Sequence, residues 1–246
     1  MPVREVMKDG KKYYQWGTKA NSIQKRVMQK NRVVLHMLVD IPVDIKKSKA
    51  LIIGNGKSRL QFDLTSLNTI YTTYGCNALY RDFIPDYLVS MDSNMVDEIL
   101  NHQIYNKTKF YTQHNDRIDR IQTLQKLPIH FVTGERETRD SGNTATRLAC
   151  ENEHKNIYMI GFDYISMPDK KYNNVYAGTA NYSHANGDHI HVNQVEKWRQ
   201  RIRTLAKKYT DVNFIRVNGN DYSLGMALDN FTEITPIQFK EITNEL

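Results

Sequence analysis

Residues 50–58 read Ala-Leu-Ile-Ile-Gly-Asn-Gly-Lys-Ser, an apolar run that breaks into a glycine-rich turn. A short uninterrupted apolar run bounded by glycine is the pattern of a strand buried on both faces, as in a parallel sheet. Similar runs follow at Thr69–Thr73, Tyr87–Met91, Lys109–Thr112, Ile129–Val132, Ile157–Ile160 and Asn213–Val217. Helical periodicity falls between them at Met95–Asn101, Gly142–Glu153 and Val192–Tyr209. The last of these carries Val192, Val195, Trp198, Ile202, Leu205 and Tyr209 at steps of three and four, which makes one apolar stripe. Strands alternating with helices predict an α/β domain built on a single Rossmann-like, mostly parallel sheet.

Ahead of this domain the composition changes. Residues 1–49 hold 12 Lys/Arg and 4 Asp/Glu, a net of +8, whereas residues 50–246 hold 22 and 23, a net of −1. We therefore divide the chain into a basic N-terminal module over 1–49 and a catalytic or binding domain over 50–246. Val3 to Gly17 read as two strands around Asp9-Gly10, a dipeptide suited to a tight hairpin turn, and Ala20 to Gln29 as a short basic helix. This hairpin-helix pattern resembles modules at the start of many bacteriophage proteins. A basic arm on a near-neutral body fits a polyanion such as DNA or a solvated extension. No apolar run reaches the roughly 20 residues that span a bilayer, so a cytoplasmic location away from membranes is expected. Cys76 and Cys150, in apolar surroundings, predict core residues and neither a disulfide scaffold nor a cysteine zinc site.

Ligands of open α/β sheets bind at the carboxyl ends of the strands, where a glycine turn lets backbone and ligand approach. Gly54-Asn55-Gly56-Lys57-Ser58 is such a turn, though it is neither a dinucleotide fingerprint nor a Walker loop. Tyr74-Gly75-Cys76-Asn77 follows the second strand, and its asparagine can read donors and acceptors alike. Asp140-Ser141-Gly142-Asn143-Thr144 opens a helix, whose first N–H groups are capped by a side chain or bind an anion. Gly161-Phe162-Asp163-Tyr164 ends a further strand. Four polar, glycine-containing turns on one edge point to a nucleotide cleft.

The runs LIIGNGKSRLQFDLTSLN…YGCN and DSGNTATRLACENEHKNIYMIGFDY, with a later histidine-containing stretch before an amphipathic helix, resemble glycosyltransferase family 42. This family comprises the bacterial CMP-sialic acid sialyltransferases and phage-encoded relatives. The separations Asn55 to Asn77 and Ser141 to Asp163 are both 22 residues, and the resemblance covers about residues 50–217. It implies a GT-A-like sialyltransferase fold, a CMP-sugar donor, inverting transfer to a hydroxyl acceptor, and no cofactor or metal. It places Asn55 and Gly56 near the donor phosphate and Asn77 near the sugar or ribose, with Gly54 and Ser58 among the residues that bind the donor nucleotide. Ser141 and Gly142 fall at the cytidine, with Asp163 and Tyr164 supporting it. The chain departs from the family at Lys57, where a proline is expected, at Thr138-Arg139, where an arginine is displaced by one residue, and at Ile165, which replaces a phosphate-binding tyrosine. Tyr172, Tyr176 or Tyr182 could supply that hydroxyl.

The general base is expected in Tyr182-Ser183-His184-Ala185-Asn186-Gly187-Asp188-His189-Ile190-His191. Imidazole titrates near neutrality and can take the proton of an attacking hydroxyl. His184 is the first candidate, with His189 and His191 behind it. The same stretch supports a rival metal site of His184, Asp188, His189 and His191 with Asp92. Charge favours 5-hydroxymethylcytosine in DNA as the acceptor, contacted through residues 1–49 and Arg199, Arg201 and Arg203. The alternatives are a surface glycan acceptor, a pterin diphosphokinase-like enzyme using magnesium and ATP, and a non-enzymatic nucleic-acid-binding module.

Overall fold

The computed structural model describes residues 3–8, 11–16, 48–132, 140–165, 173–182, 192–219 and 223–243. The chain divides into two compact units, residues 1–44 and 45–246. In the first, β1 (Val3–Lys8) and β2 (Lys11–Trp16) pair antiparallel from Val3 opposite Trp16 to Lys8 opposite Lys11, as expected of two strands in this stretch, while Asp9-Gly10 lies outside the described residues. The basic helix expected at 20–29 lies outside the described residues.

The second unit holds one eight-stranded sheet. Its strands are β3 (Lys49–Ile53), β4 (Thr72–Cys76), β5 (Tyr87–Val89), β6 (Lys109–Thr112), β7 (Ile129–Phe131), β8 (Asn156–Ile160), β9 (Asn213–Val217) and β10 (Phe231–Ile234). They lie in the order β10-β9-β8-β3-β4-β5-β6-β7, and every pairing is parallel. The helices are α1 (Leu64–Ile70), α2 (Ser93–Asn101), α3 (Asp116–Gln125), α4 (Ser141–Glu151), α5 (Val192–Lys208) and α6 (Pro236–Thr243).

Both faces of the central strands are buried, which is why β3 reads as unbroken apolar sequence. Ala50 and Ile52 pack with Ala145, Ala149, Ile202 and Leu205 of α4 and α5 on one face. Leu51 and Ile53 pack on the other with Leu67 of α1 and Phe239 of α6. Farther along that face, Leu88, Phe110 and Ile129 meet Met95, Ile99 and Ile118 of α2 and α3.

Two readings move. The strand expected at 69–73 begins at Thr72, because Asp63 accepts a hydrogen bond from Thr65 N and starts α1, which carries Thr69 and Ile70 into its last turn. β10 was not expected, since Thr232 and Glu233 interrupt its apolar character at the edge of the sheet.

The order of strands fixes where a ligand site can lie. The chain builds outward from β3 through β4 to β7, then returns through α4 to lay β8 on the opposite side of β3. Connections therefore leave β3 and β8 in opposite directions, and a crevice opens at their carboxyl ends.

Candidate active site at the carboxyl edge of the sheet

The exits of β3 and β8 are bonded to each other. Gly54 N donates to Ile160 O at 2.8 Å and Gly56 N to Gly161 O at 2.9 Å, which continues the contact past the strands. Only glycine fits here. A Cβ on Gly54 would stand 2.5 Å from Gly161 O, and one on Gly161, whose φ is +68°, would stand 2.6 Å from Gly54 O. Ser58 closes the turn, its N–H donating to Asp163 Oδ2 at 3.1 Å and its hydroxyl to Asp163 Oδ1. Asn173 Nδ2 reaches Asp163 Oδ2 at 2.7 Å. Thus the N–H groups of Gly54, Gly56 and Ser58 donate to the protein itself.

The exit of β4 joins the same cluster. Asn55 Nδ2 donates to Cys76 O at 3.0 Å and to Tyr182 Oη at 3.3 Å. The Cys76 carbonyl requires a donor, which fixes the amide orientation and leaves Asn55 Oδ1 as a buried acceptor without a hydrogen-bond partner among the described residues. Asn77 takes a left-handed φ of 51°. Its Oδ1 accepts from Ser90 Oγ at 3.0 Å and Ser141 Oγ at 2.7 Å, while its Nδ2 donates to Asp92 Oδ2 at 3.0 Å. Ser141 Oγ accepts in turn from Met91 N at 3.1 Å. The cap of α4 is Asp140, which accepts from Asn143 N at 2.8 Å. Gly142 follows it, with room for a Cβ only at 3.2 Å from the Phe162 ring. The four turns expected from the sequence are therefore joined by direct bonds.

Residues 173–182 lie against this edge. Val175 N donates to Asn55 O at 2.8 Å. Arg81 donates to Thr179 Oγ1 and to Ala180 O, both at 2.7 Å, and Asn181 Nδ2 to Glu98 Oε2 at 3.0 Å. Glu98, which also bonds Arg81 and Tyr80, is 9% exposed and Arg81 23%, so the ion pair is only partly open to water. Tyr182 is brought to the asparagines: its oxygen accepts from Asn174 Nδ2 at 2.9 Å as well as from Asn55. Burial pushes this phenol up to about 12, so at neutral pH the hydroxyl keeps a proton to donate. Tyr176 differs, since its hydroxyl accepts from Arg59 Nη2 at 2.7 Å and donates to Asp82 Oδ2 at 2.6 Å. Burial also pushes the Cys76 thiol up to about 12, which keeps it protonated in the floor of the site.

Other expected residues are placed elsewhere. Tyr164 is 8% exposed in the core under α4 and α5, and its hydroxyl has no hydrogen-bond partner among the described residues. Arg199 Nη2 donates to Tyr164 O at 2.5 Å, and Arg201 Nη1 pairs with Asp140 Oδ2 at 2.9 Å, so two arginines assigned to DNA bond the protein instead. Arg203 is half-buried. Tyr172, His184, Asp188, His189 and His191 lie outside the described residues, as do Thr138 and Arg139. No three His, Cys, Asp or Glu side chains gather as metal ligands among the described residues.

Sequence reading missed the layer behind the turns. Arg216, fully buried at the end of β9, donates from Nε to Phe162 O at 2.8 Å and from Nη2 to Asp163 O at 3.3 Å, and pairs with Glu233 of β10. A charged residue inside the apolar run Asn213–Val217 is the only sequence signal for it.

No protein-family model matches the chain, and neither does a curated protein. Among solved structures, the sialyltransferase CST-II in complex with a trisaccharide acceptor and CMP matches over 76% of this chain and 86% of its own, at 17% identity and a TM-score of 0.50. A point variant of the alpha-2,3/8-sialyltransferase CstII matches over 76% and 87%, at 16% identity and a TM-score of 0.47. The fold of the second unit is thus similar to that of CST-II, and the expected α/β sheet is wholly parallel among the described residues. None of the described helices is long and apolar enough to cross a membrane.

Proposed function

We propose that the chain is a glycosyltransferase that moves a sugar from a CMP-sugar to a hydroxyl group, with inversion and without a metal. One observation carries this reading: Asn55, Asn77, Ser141 and Tyr182 converge at the switch point of a sheet similar to CST-II, whose solved complex holds CMP and a trisaccharide. The Asn77–Ser141 side of the cluster takes the cytidine and ribose, and the Asn55–Tyr182 side takes the phosphate and anomeric centre. Asn55 contributes an acceptor rather than a donor there, because its Nδ2 is held by Cys76 O. It therefore meets a ligand hydroxyl and not a phosphate oxygen.

In-line displacement needs a base on the acceptor and a proton or charge on the departing phosphate. We assign the base to His184, with His189 as the alternative, and leaving-group stabilisation to the Tyr182 hydroxyl aided by exposed Lys57. Tyr176 is set aside as the phosphate ligand, since its hydroxyl already bonds Arg59 and Asp82.

A carbohydrate acceptor is favoured over hydroxymethylcytosine in DNA. With Arg199 and Arg201 bonded internally, the DNA reading keeps only the +8 segment of residues 1–49 and Arg203. Calorimetry with CMP, and with ATP plus magnesium, tests the donor. Binding of CMP alone is expected; binding of ATP alone would favour a diphosphokinase, and binding of neither would remove the enzyme reading. Incubation with CMP-sialic acid and either oligosaccharides or hydroxymethylated duplex, followed by mass spectrometry, then identifies the acceptor. Transfer only to DNA would reverse the present preference.

A further inference from the structure

Tyr176 joins the turns of β3 and β4 to segment 173–182. Its ring lies within cation–π range of two guanidiniums, with Arg59 Cζ 5.4 Å and Arg81 Cζ 5.9 Å from the centroid. Arg59 comes three residues after Gly56 on the β3 exit, and Arg81 and Asp82 follow Asn77 on the β4 exit. Arg59 is 3% exposed, pairs with Asp82 at 2.9 Å and donates to the Tyr176 hydroxyl. Burying an arginine is costly, and apolar residues would hold a loop as well. What the charged arrangement adds is direction, because a guanidinium, a phenol and a carboxylate in sequence admit few geometries. Six residues on, Tyr182 must meet Asn55 and Asn174 to within a hydrogen bond.

We propose that Tyr176 is a positioning residue, which locks segment 173–182 to both turns so that the Tyr182 hydroxyl is held at Asn55. The activity readout of this proposal rests on the CMP-sugar reading above; its exchange readout does not.

The test is a double-mutant cycle on the full chain with Tyr176→Phe and Tyr182→Phe, following CMP release from CMP-N-acetylneuraminic acid, CMP affinity, and amide hydrogen exchange. Tyr176→Phe keeps the ring and removes one hydroxyl. It is expected to slow CMP release about ten- to a hundredfold, to leave CMP affinity within about threefold, and to quicken exchange from Val175 through Tyr182 with β3 and β8 unchanged. The double variant should be no slower than Tyr182→Phe alone, since a positioning residue has nothing to position once the hydroxyl is gone. Multiplying effects, or unaltered exchange at Tyr182, would overturn the proposal. If the wild-type chain binds no CMP, the transferase reading fails and exchange alone decides the role of Tyr176.

Discussion

Ser141, at the first turn of α4, donates to the side-chain carbonyl of Asn77 at 2.7 Å across 64 residues of sequence. The bond joins the helix that reverses the direction of sheet building to the turn that precedes β5. Because Ser141 Oγ also accepts from Met91 N, one hydroxyl fixes three elements at the edge where the donor is proposed to bind. Ser141→Ala leaves a buried N–H and a carbonyl without this partner. It should cost about 1–3 kcal/mol in urea unfolding and weaken CMP binding measurably by calorimetry.

Gly161→Ala forces a Cβ into a left-handed conformation and to within 2.6 Å of Gly54 O. The left-handed backbone alone costs roughly 1–2 kcal/mol, and the contact adds to it. A lower melting temperature together with lost CMP binding is expected. A variant with the stability and affinity of the wild type would show that the two exits do not need their close approach.

Arg201→Ala removes the pair with Asp140, whose partners are 23% and 20% exposed. The loss should be about 1 kcal/mol, read as a shift in the thermal midpoint. Affinity for hydroxymethylated duplex DNA should not change. A drop in DNA affinity with a shallower dependence on salt would mean that Arg201 leaves Asp140 to meet phosphate.

Cys76 and Cys150 are both pushed by burial from an ordinary value of 9.0 up to about 12. A raised acid favours the protonated form in the folded chain, so their contribution to stability is complete below pH 9 and declines as pH rises toward 12. Urea midpoints should therefore fall between pH 9 and pH 11. At pH 8 a thiol reagent such as Ellman's should label neither cysteine until the chain unfolds.

The sheet was legible because a strand buried on both faces leaves an unbroken apolar record, as in Leu51–Ile53 and Ile157–Ile160. Helix α5 was legible for the complementary reason, a stripe of apolar side chains at steps of three and four. Helix α3 was not, since Asp116–Gln125 buries only Ile118 and reads as a polar surface. The four turns could be found because glycine and asparagine mark strand exits. Their supports could not be. Asn173–Tyr182 has no periodicity, and its fixing partners Arg59, Arg81 and Glu98 lie 83 to 117 residues away. Nothing local tells that Arg199 and Arg201 turn inward, because a basic helix face looks the same whether it meets solvent, phosphate or a carbonyl.

The placement of β8 beside β3 also sets the timing of assembly. Lys49 pairs with Asn156 and Ile53 with Ile160, so the centre of the sheet closes only after a loop of about a hundred residues has been brought round. Parallel pairings at such separation form late and slowly. β3 to β6 are successive neighbours and can associate earlier, but neither Gly54 N nor Ser58 has its partner until β8 arrives. The site thus cannot exist during refolding until β8 has joined β3. Recovery of CMP binding should track the slowest refolding phase, behind the return of helical signal.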